Sequence, residues 1–225
     1  VEEPWLVLMG VLDGLNVCSL SLLALFISLM YSAGQGRRTI LSLGVSYIAG
    51  VFAAYLATGL GILLLSVTLP AVPHLLARVG VSIMILIGAS NILSYFGLGL
   101  LPLSMPSTLG ARAVVFMRRV GLFSSAAAGI LVGLHNFPCA CTGGVYPTFI
   151  GLIATSSLKL AYLLLYNIFF ISPLVLILYI ASTKAITVRL RKWHQENKQR
   201  SKLIIGVIMV ALGAFFLALI FLGVQ

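Results

Sequence analysis

Between His135 and Gly144 the chain reads HNFPCACTGG, placing a histidine, two cysteines, a proline and two glycines within ten residues. The third cysteine, Cys18, follows Asn16 closely, as Cys139 follows Asn136. Three chemistries suit such a set. A dithiol exchanges with a disulfide when a thiolate attacks sulfur. Cys139, Cys141 and His135 could instead hold a soft metal ion, which thiolates select. The cysteines could also fill space as small apolar side chains. Exchange requires a polar and reachable site, because burial among apolar groups makes a thiol inert. Asn16, Asn136, Thr142, His135 and Asp13 are the candidate polar groups, and the amides of a half-helix starting near Val145 would favour a thiolate through their dipole. Cys141 is open to three roles: resolving a mixed disulfide, binding a metal, or filling space.

The elements that position these residues follow from composition. The chain has 225 residues, of which 61% are hydrophobic and 8% charged, against roughly 25% charged in soluble domains. An all-α integral membrane protein is expected, as one transmembrane domain over residues 1–225. Apolar windows long enough for a bilayer core of about 30 Å run from about Trp5 to Tyr31, Ile40 to Leu69, Leu75 to Leu98, Gly121 to Thr155, Leu158 to Ser182 and Leu203 to Val224. Six spans are expected. The first window is preceded by Glu2 and Glu3 rather than by basic residues and exceeds a signal peptide's apolar core, so it is expected to remain as a span.

The formal charge of +10 sorts by side of the membrane and gives no reason to expect nucleic-acid binding. Arg37 and Arg38 lie between windows one and two, Arg112, Arg118 and Arg119 between three and four, and seven basic residues from Lys184 to Lys202 between five and six. The other connections hold Arg78 and Lys159. By the positive-inside rule the first three loops are cytoplasmic and both termini face outward. The expected location is the inner or plasma membrane, in contact with lipid.

Ile83 to Ala89 reads IMILIGA and Ile208 to Ala214 reads IMVALGA, 125 positions later, while Cys139 stands 121 after Cys18. Three spans per half would make the second half enter from the opposite face, an inverted repeat with its working site near the midplane. Repeat one would cover about 1–98 and repeat two about 121–225, joined by a cytoplasmic loop over about 99–120. The fourth window is too long for one crossing: 35 residues make about 52 Å of helix. Pro138 and Pro147 each remove an amide donor, and Gly143 and Gly144 relax the backbone between them. Half-helices over about Gly121 to Phe137 and Val145 to Thr155 are expected, with a break lining a site. Asp13, Gly14 and Asn16 form a weaker version before Cys18, where Asp13 faces either the bundle interior or the outer headgroups. Thirteen residues from Trp5, about 20 Å of helix, place Cys18 near midmembrane, at a depth comparable to Cys139. Packing around a pseudo-twofold axis would let these two approach. The loop from Leu98 to Val120, with Pro102 and Pro106, is expected to rest on the membrane surface. Ile186, Leu190 and Trp193, at helical spacing among basic residues, suggest an interfacial extension of the fifth span.

Asn16-Val17-Cys18, Phe137-Pro138-Cys139 with Thr142-Gly143-Gly144 and Pro147, six windows and two halves resemble the CcdA family, which includes transmembrane domains of the DsbD type. The resemblance covers essentially the whole chain, with its specificity in the fourth-window motif. It implies a thiol-disulfide electron carrier that takes reducing equivalents from cytoplasmic thioredoxin and gives them to extracytoplasmic thioredoxin-like acceptors, commonly in cytochrome c maturation. By that resemblance Cys18 and Cys139 are the redox pair, and the protein acts as a thiol-disulfide oxidoreductase in transport, with no resident metal and no cofactor. The sequence departs from the family pattern at Val17, where proline is common, and at Ser19-Leu20-Ser21, where further prolines are. Cys141 is outside the shared pair. Thioredoxin near about −270 mV and a strongly oxidising outer partner near about −120 mV leave roughly 7 kcal/mol of drive for two electrons. No other energy source is needed, in keeping with the lack of a GxxxxGK[ST] phosphate loop.

Overall fold

The computed structural model describes residues 3–15, 17–69, 71–97, 108–136, 145–154, 156–181 and 198–221. Among the described residues every regular element is an α-helix. They are α1 (Glu3–Gly14), α2 (Val17–Ser32), α3 (Arg37–Thr68), α4 (Ala71–Tyr95), α5 (Thr108–Met117), α6 (Leu122–Asn136), α7 (Val145–Ile153), α8 (Lys159–Ala181) and α9 (Lys198–Phe221). Three segments are long and apolar enough to cross a membrane: Arg37–Thr68, Arg78–Tyr95 and Lys159–Ile180. Helix is the form expected of such runs, because lipid offers the backbone no hydrogen-bond partner and a helix satisfies its own amides.

Local chemistry sets the helix ends and irregularities. Gly34 adopts φ 73° after α2, and the Gln35 amide reaches back to the Met30 carbonyl at 3.1 Å. This left-handed cap closes α2 and turns the chain toward Arg37 and Arg38 at the start of α3. Pro173 lies inside α8 and cannot donate to the carbonyl four residues earlier. The Ser172 hydroxyl donates to that Phe169 carbonyl at 2.8 Å, so the helix continues through the proline.

Glycines set the close helix pairs, as is common where no hydrophobic force draws helices together in lipid. Gly10 and Gly14 of α1 lie so close to α8 that a Cβ on Gly10 would stand 2.9 Å from the Tyr166 carbonyl, and one on Gly14 would collide with the Phe170 carbonyl and with Pro173. Gly129 and Gly133 of α6 meet α3 in the same way, at the Tyr47 carbonyl, the Val51 carbonyl and Ala54. In each pair the contacts advance together along both helices, so α1 runs parallel to α8 and α6 parallel to α3. Each residue of the first set has its counterpart 119 positions away in the second: Gly10 and Gly129, Gly14 and Gly133, Tyr47 and Tyr166, Val51 and Phe170, Ala54 and Pro173. By contrast α3 and α8 run antiparallel, Gly44 against Leu178 and Gly59 against Leu163. So do α4 and α9, where a Cβ on Gly88 would lie 2.8 Å from Val210 and Gly213 packs on Ile85.

Several expectations are corrected or refined. The loop after the third window contains a helix, α5, which packs on α6 and α2 with Ala113 and Met117 buried; its apolar side chains seat on the bundle. The first window consists of two helices, α1 and α2, as the fourth consists of α6 and α7. Pro147 is the third residue of α7, where the missing amide hydrogen has no partner to lose; it belongs to a helix start and is not a point of breakage. The last helix begins at Lys198, ahead of its apolar window, and takes in Lys198, Arg200 and Lys202. The expected interfacial extension around Ile186, Leu190 and Trp193 lies outside the described residues.

Candidate functional site

The helices of the first and fourth windows pack crosswise. α1 packs on α7, and α2 packs on α6, so the first half of one window meets the second half of the other. Cys18 is the second residue of α2, while His135 and Asn136 are the last two of α6. The segment 137–144, with Pro138, Cys139, Cys141, Thr142, Gly143 and Gly144, lies outside the described residues, as does Asn16. Its flanks are placed: α6 delivers the chain to it and α7 leaves it. α2 begins at Val17 and α7 at Val145, and the first-turn amides of a helix favour negative charge.

Asp13, the penultimate residue of α1, is 2% exposed, so its side chain is enclosed by the bundle. The Tyr166 hydroxyl donates to its Oδ2 at 2.8 Å, while Oδ1 has no hydrogen-bond partner among the described residues. Tyr166 in turn stacks on Phe149 of α7, with ring centroids 4.3 Å apart, and lies 5.4 Å from the ring of Tyr146. Tyr146 is the second residue of α7. Its hydroxyl donates to the Tyr55 carbonyl of α3 at 2.6 Å and abuts Gly59. Asn167 is buried beside it and donates from Nδ2 to the Leu163 carbonyl at 2.7 Å. A continuous polar and aromatic path thus runs from the end of α1, through α8, to the start of α7 and on to α3.

Of the residues expected at a site, the structure joins Asp13 to this path and sets Cys18, His135, Asn136 and Pro147 at the two junctions. Sequence reasoning missed Tyr55, Tyr146, Tyr166 and Asn167. A signal existed: transmembrane tyrosines ordinarily gather at the interfaces, whereas Tyr166-Asn167 lies seven residues into its helix and Tyr55 near the middle of α3. Among the described residues no cluster of three metal-binding side chains occurs.

No family model, curated protein or solved structure matches the chain.

Proposed function

We propose that this chain is a multi-pass membrane carrier of reducing equivalents, of the CcdA kind, that moves two electrons as a dithiol from cytoplasmic thioredoxin to a thioredoxin-like acceptor outside the membrane, cytochrome c maturation being the pathway the resemblance implies. Cys18 and Cys139 are its redox pair. The observation that supports the proposal is the crosswise packing of the two windows, α1 on α7 and α2 on α6, in which the helix that carries Cys18 contacts a helix that flanks the segment of Cys139.

Six spans in two inverted halves complete the proposal, with residues 1 and 225 on the outer side. Support comes from the contacts repeated at a shift of 119 positions between α1 with α8 and α6 with α3. The reciprocal contacts of Gly88 with Val210 and Gly213 with Ile85 add to it, since these residues occupy matching places in the IMILIGA and IMVALGA segments. The Phe26–Tyr47 stack at 4.9 Å and the Phe149–Tyr166 stack at 4.3 Å form a further pair. Cys18 precedes Phe26 by eight residues, and Cys141 precedes Phe149 by eight, so Cys141 belongs in any test of the pair.

The chemistry balances without another reactant. A thioredoxin thiolate attacks one sulfur of the Cys18–Cys139 disulfide, a mixed disulfide forms, and thioredoxin's second thiolate displaces it. Thioredoxin leaves oxidised and the carrier holds two thiols. The reverse exchange with the outer acceptor returns the carrier to its disulfide. A partner as large as thioredoxin stays outside the bilayer, so the glycines and Pro138 of the fourth window serve as hinges.

Thiol labelling of the purified protein, before and after reduced thioredoxin, tests this. Two thiols are expected to appear, and Cys18→Ser and Cys139→Ser are each expected to trap a thioredoxin adduct or abolish turnover, while Cys141→Ser turns over. Turnover lost with Cys141→Ser and kept with Cys139→Ser would move the pair to Cys18 and Cys141. Thiols that are free throughout and ignore thioredoxin would sink the carrier and favour a soft-metal transporter using Cys139, Cys141 and His135.

A further inference from the structure

Asp13, Tyr146 and Asn167 stand on three helices that touch one another, α1, α7 and α8, and all three are buried. Tyr166 joins them. Its hydroxyl donates to Asp13 Oδ2 at 2.8 Å, its ring centroid lies 5.4 Å from that of Tyr146, and Asn167 lies against the Tyr146 hydroxyl. Packing does not require these polar groups. Gly10, Gly14 and Tyr166 of the α1–α8 seam match Gly129, Gly133 and Tyr47 of the α6–α3 seam at a shift of 119 positions. At that shift Asp13 corresponds to Val132 and Asn167 to Ile48. The Phe149–Tyr166 and Phe26–Tyr47 stacks relate α7 to α2 by 123 positions, which sets Tyr146 against Leu23. Val132, Ile48 and Leu23 are all buried. The same framework thus closes around three apolar side chains in one place, and in the other all three positions are polar together.

The polar set is rich in acceptors and short of positive charge. Its donors are committed: Tyr166 to Asp13 Oδ2, Tyr146 to the Tyr55 carbonyl at 2.6 Å, and Asn167 Nδ2 to the Leu163 carbonyl at 2.7 Å. Two buried oxygens, Asp13 Oδ1 and Asn167 Oδ1, have no hydrogen-bond partner among the described residues. The titratable side chains facing Asp13 from the helices packed on α1 are Tyr166 of α8 and Tyr146 of α7, both phenols. The last turn of α1 holds no basic residue, and a carboxylate there adds to the negative end of the helix dipole. Leaving such oxygens unpaired is expensive in a buried site. A water could donate to them but would not neutralise the carboxylate. A bound cation does both.

We infer that Asp13, Asn167, Tyr146 and Tyr166 form a binding site for an exchangeable alkali cation within the bundle, with Asp13 Oδ1 and Asn167 Oδ1 as ligands and the two phenol oxygens beside them. One carboxylate among neutral oxygens, without thiol or imidazole, suits a hard ion of single charge. The end of an interrupted membrane helix is a place where such ions are held. This site is independent of the thiol chemistry, and its fate leaves the carrier proposal as it stands.

The test uses the full chain in detergent with Na+ as the probe, and N-methylglucamine, too bulky to enter, holding the ionic strength constant. Equilibrium dialysis with radiolabelled Na+ is expected to reach one ion per chain. Na+ at about 100 times its Kd should raise the thermal midpoint by roughly 5–10 °C. Asp13→Val and Asn167→Ile each introduce the side chain already accommodated at the matching place, so both variants are expected to fold. Asp13→Val should lose Na+ binding and the Na+-dependent rise while melting at or above the parent's midpoint without Na+. Asn167→Ile should weaken binding about tenfold or more. A residue needed only for packing would lower the midpoint equally with and without Na+, and that result overturns the site. Na+ binding at parent affinity in either variant also overturns it. So does a parent midpoint that ignores Na+ and rises with acid, which would put a proton on Asp13 instead.

Discussion

At the scale of single residues, the glycines that join helices differ sharply from those that do not. A Cβ on Gly129 would collide with the Tyr47 carbonyl, while one on Gly61 meets nothing within 4 Å. Backbone cannot swing aside as a flexible side chain can, so Gly129→Ala forces α6 away from α3. It is expected to cost about 1–3 kcal/mol, the usual range for overpacking, and to lower the thermal midpoint in detergent. Gly61→Ala should be neutral or stabilising by up to about 1 kcal/mol, since alanine is the better helix former. Equal midpoints for the two variants would contradict the close α3–α6 approach. The glycines were visible in the sequence, but their partners were not: nothing in Gly129 and Gly133 by themselves points to Tyr47 and Val51.

Among the elements, α6 and α7 separate near the place their composition announced, and the prolines divide in their work. Pro147 sits in the first turn of α7, where a proline is accommodated without losing a helix hydrogen bond, and Pro138 belongs to the segment that joins the helices. Pro147→Ala is accordingly expected to change the transfer rate less than about twofold, and Pro138→Ala to slow it by about tenfold or more while the disulfide still forms. Stopped-flow exchange with thioredoxin distinguishes them, and equal rates would end the hinge assignment. Part of this was legible in advance, because breakers interrupt a window too long for one crossing. The start of α7 at Val145 was legible as well, whereas Pro147 lies inside its first turn and not at the break, because a proline's effect depends on its position within the helix, which composition does not specify. α5 was missed for a related reason, since its apolar residues gain their burial from α6 and α2 and not from any pattern long enough to span a membrane.

For the molecule as a whole, the basic loops predict the sidedness. A cysteine introduced at Gly36, beside Arg37 and Arg38, should react with an impermeant maleimide only after the cytoplasmic face is opened, and one at Leu69 should react in intact cells, each in a background with the native cysteines replaced by serine. The opposite pattern would reverse the orientation. The charge bias holds this information in the sequence because basic loops resist translocation wherever they occur, independently of how the helices later pack.

The sequence by itself determined what is local and additive: a membrane environment, the runs that become helices, the fourth-window division and the residues with thiol chemistry. Each follows from transfer of side chains into lipid or from backbone geometry within one segment. Only the tertiary structure decided which helices share a face, that α1 meets α7 and α2 meets α6, and that Asp13 meets Tyr166, 153 positions away. Such contacts depend on the close approach of small residues on two helices at once, and a buried tyrosine looks the same in a sequence whether its hydroxyl faces a carboxylate, a carbonyl or a valine. Tyr166 and Tyr47 stand 119 positions apart and make matching contacts with glycines of α1 and α6, and the carboxyl that α1 brings to Tyr166 is what distinguishes them.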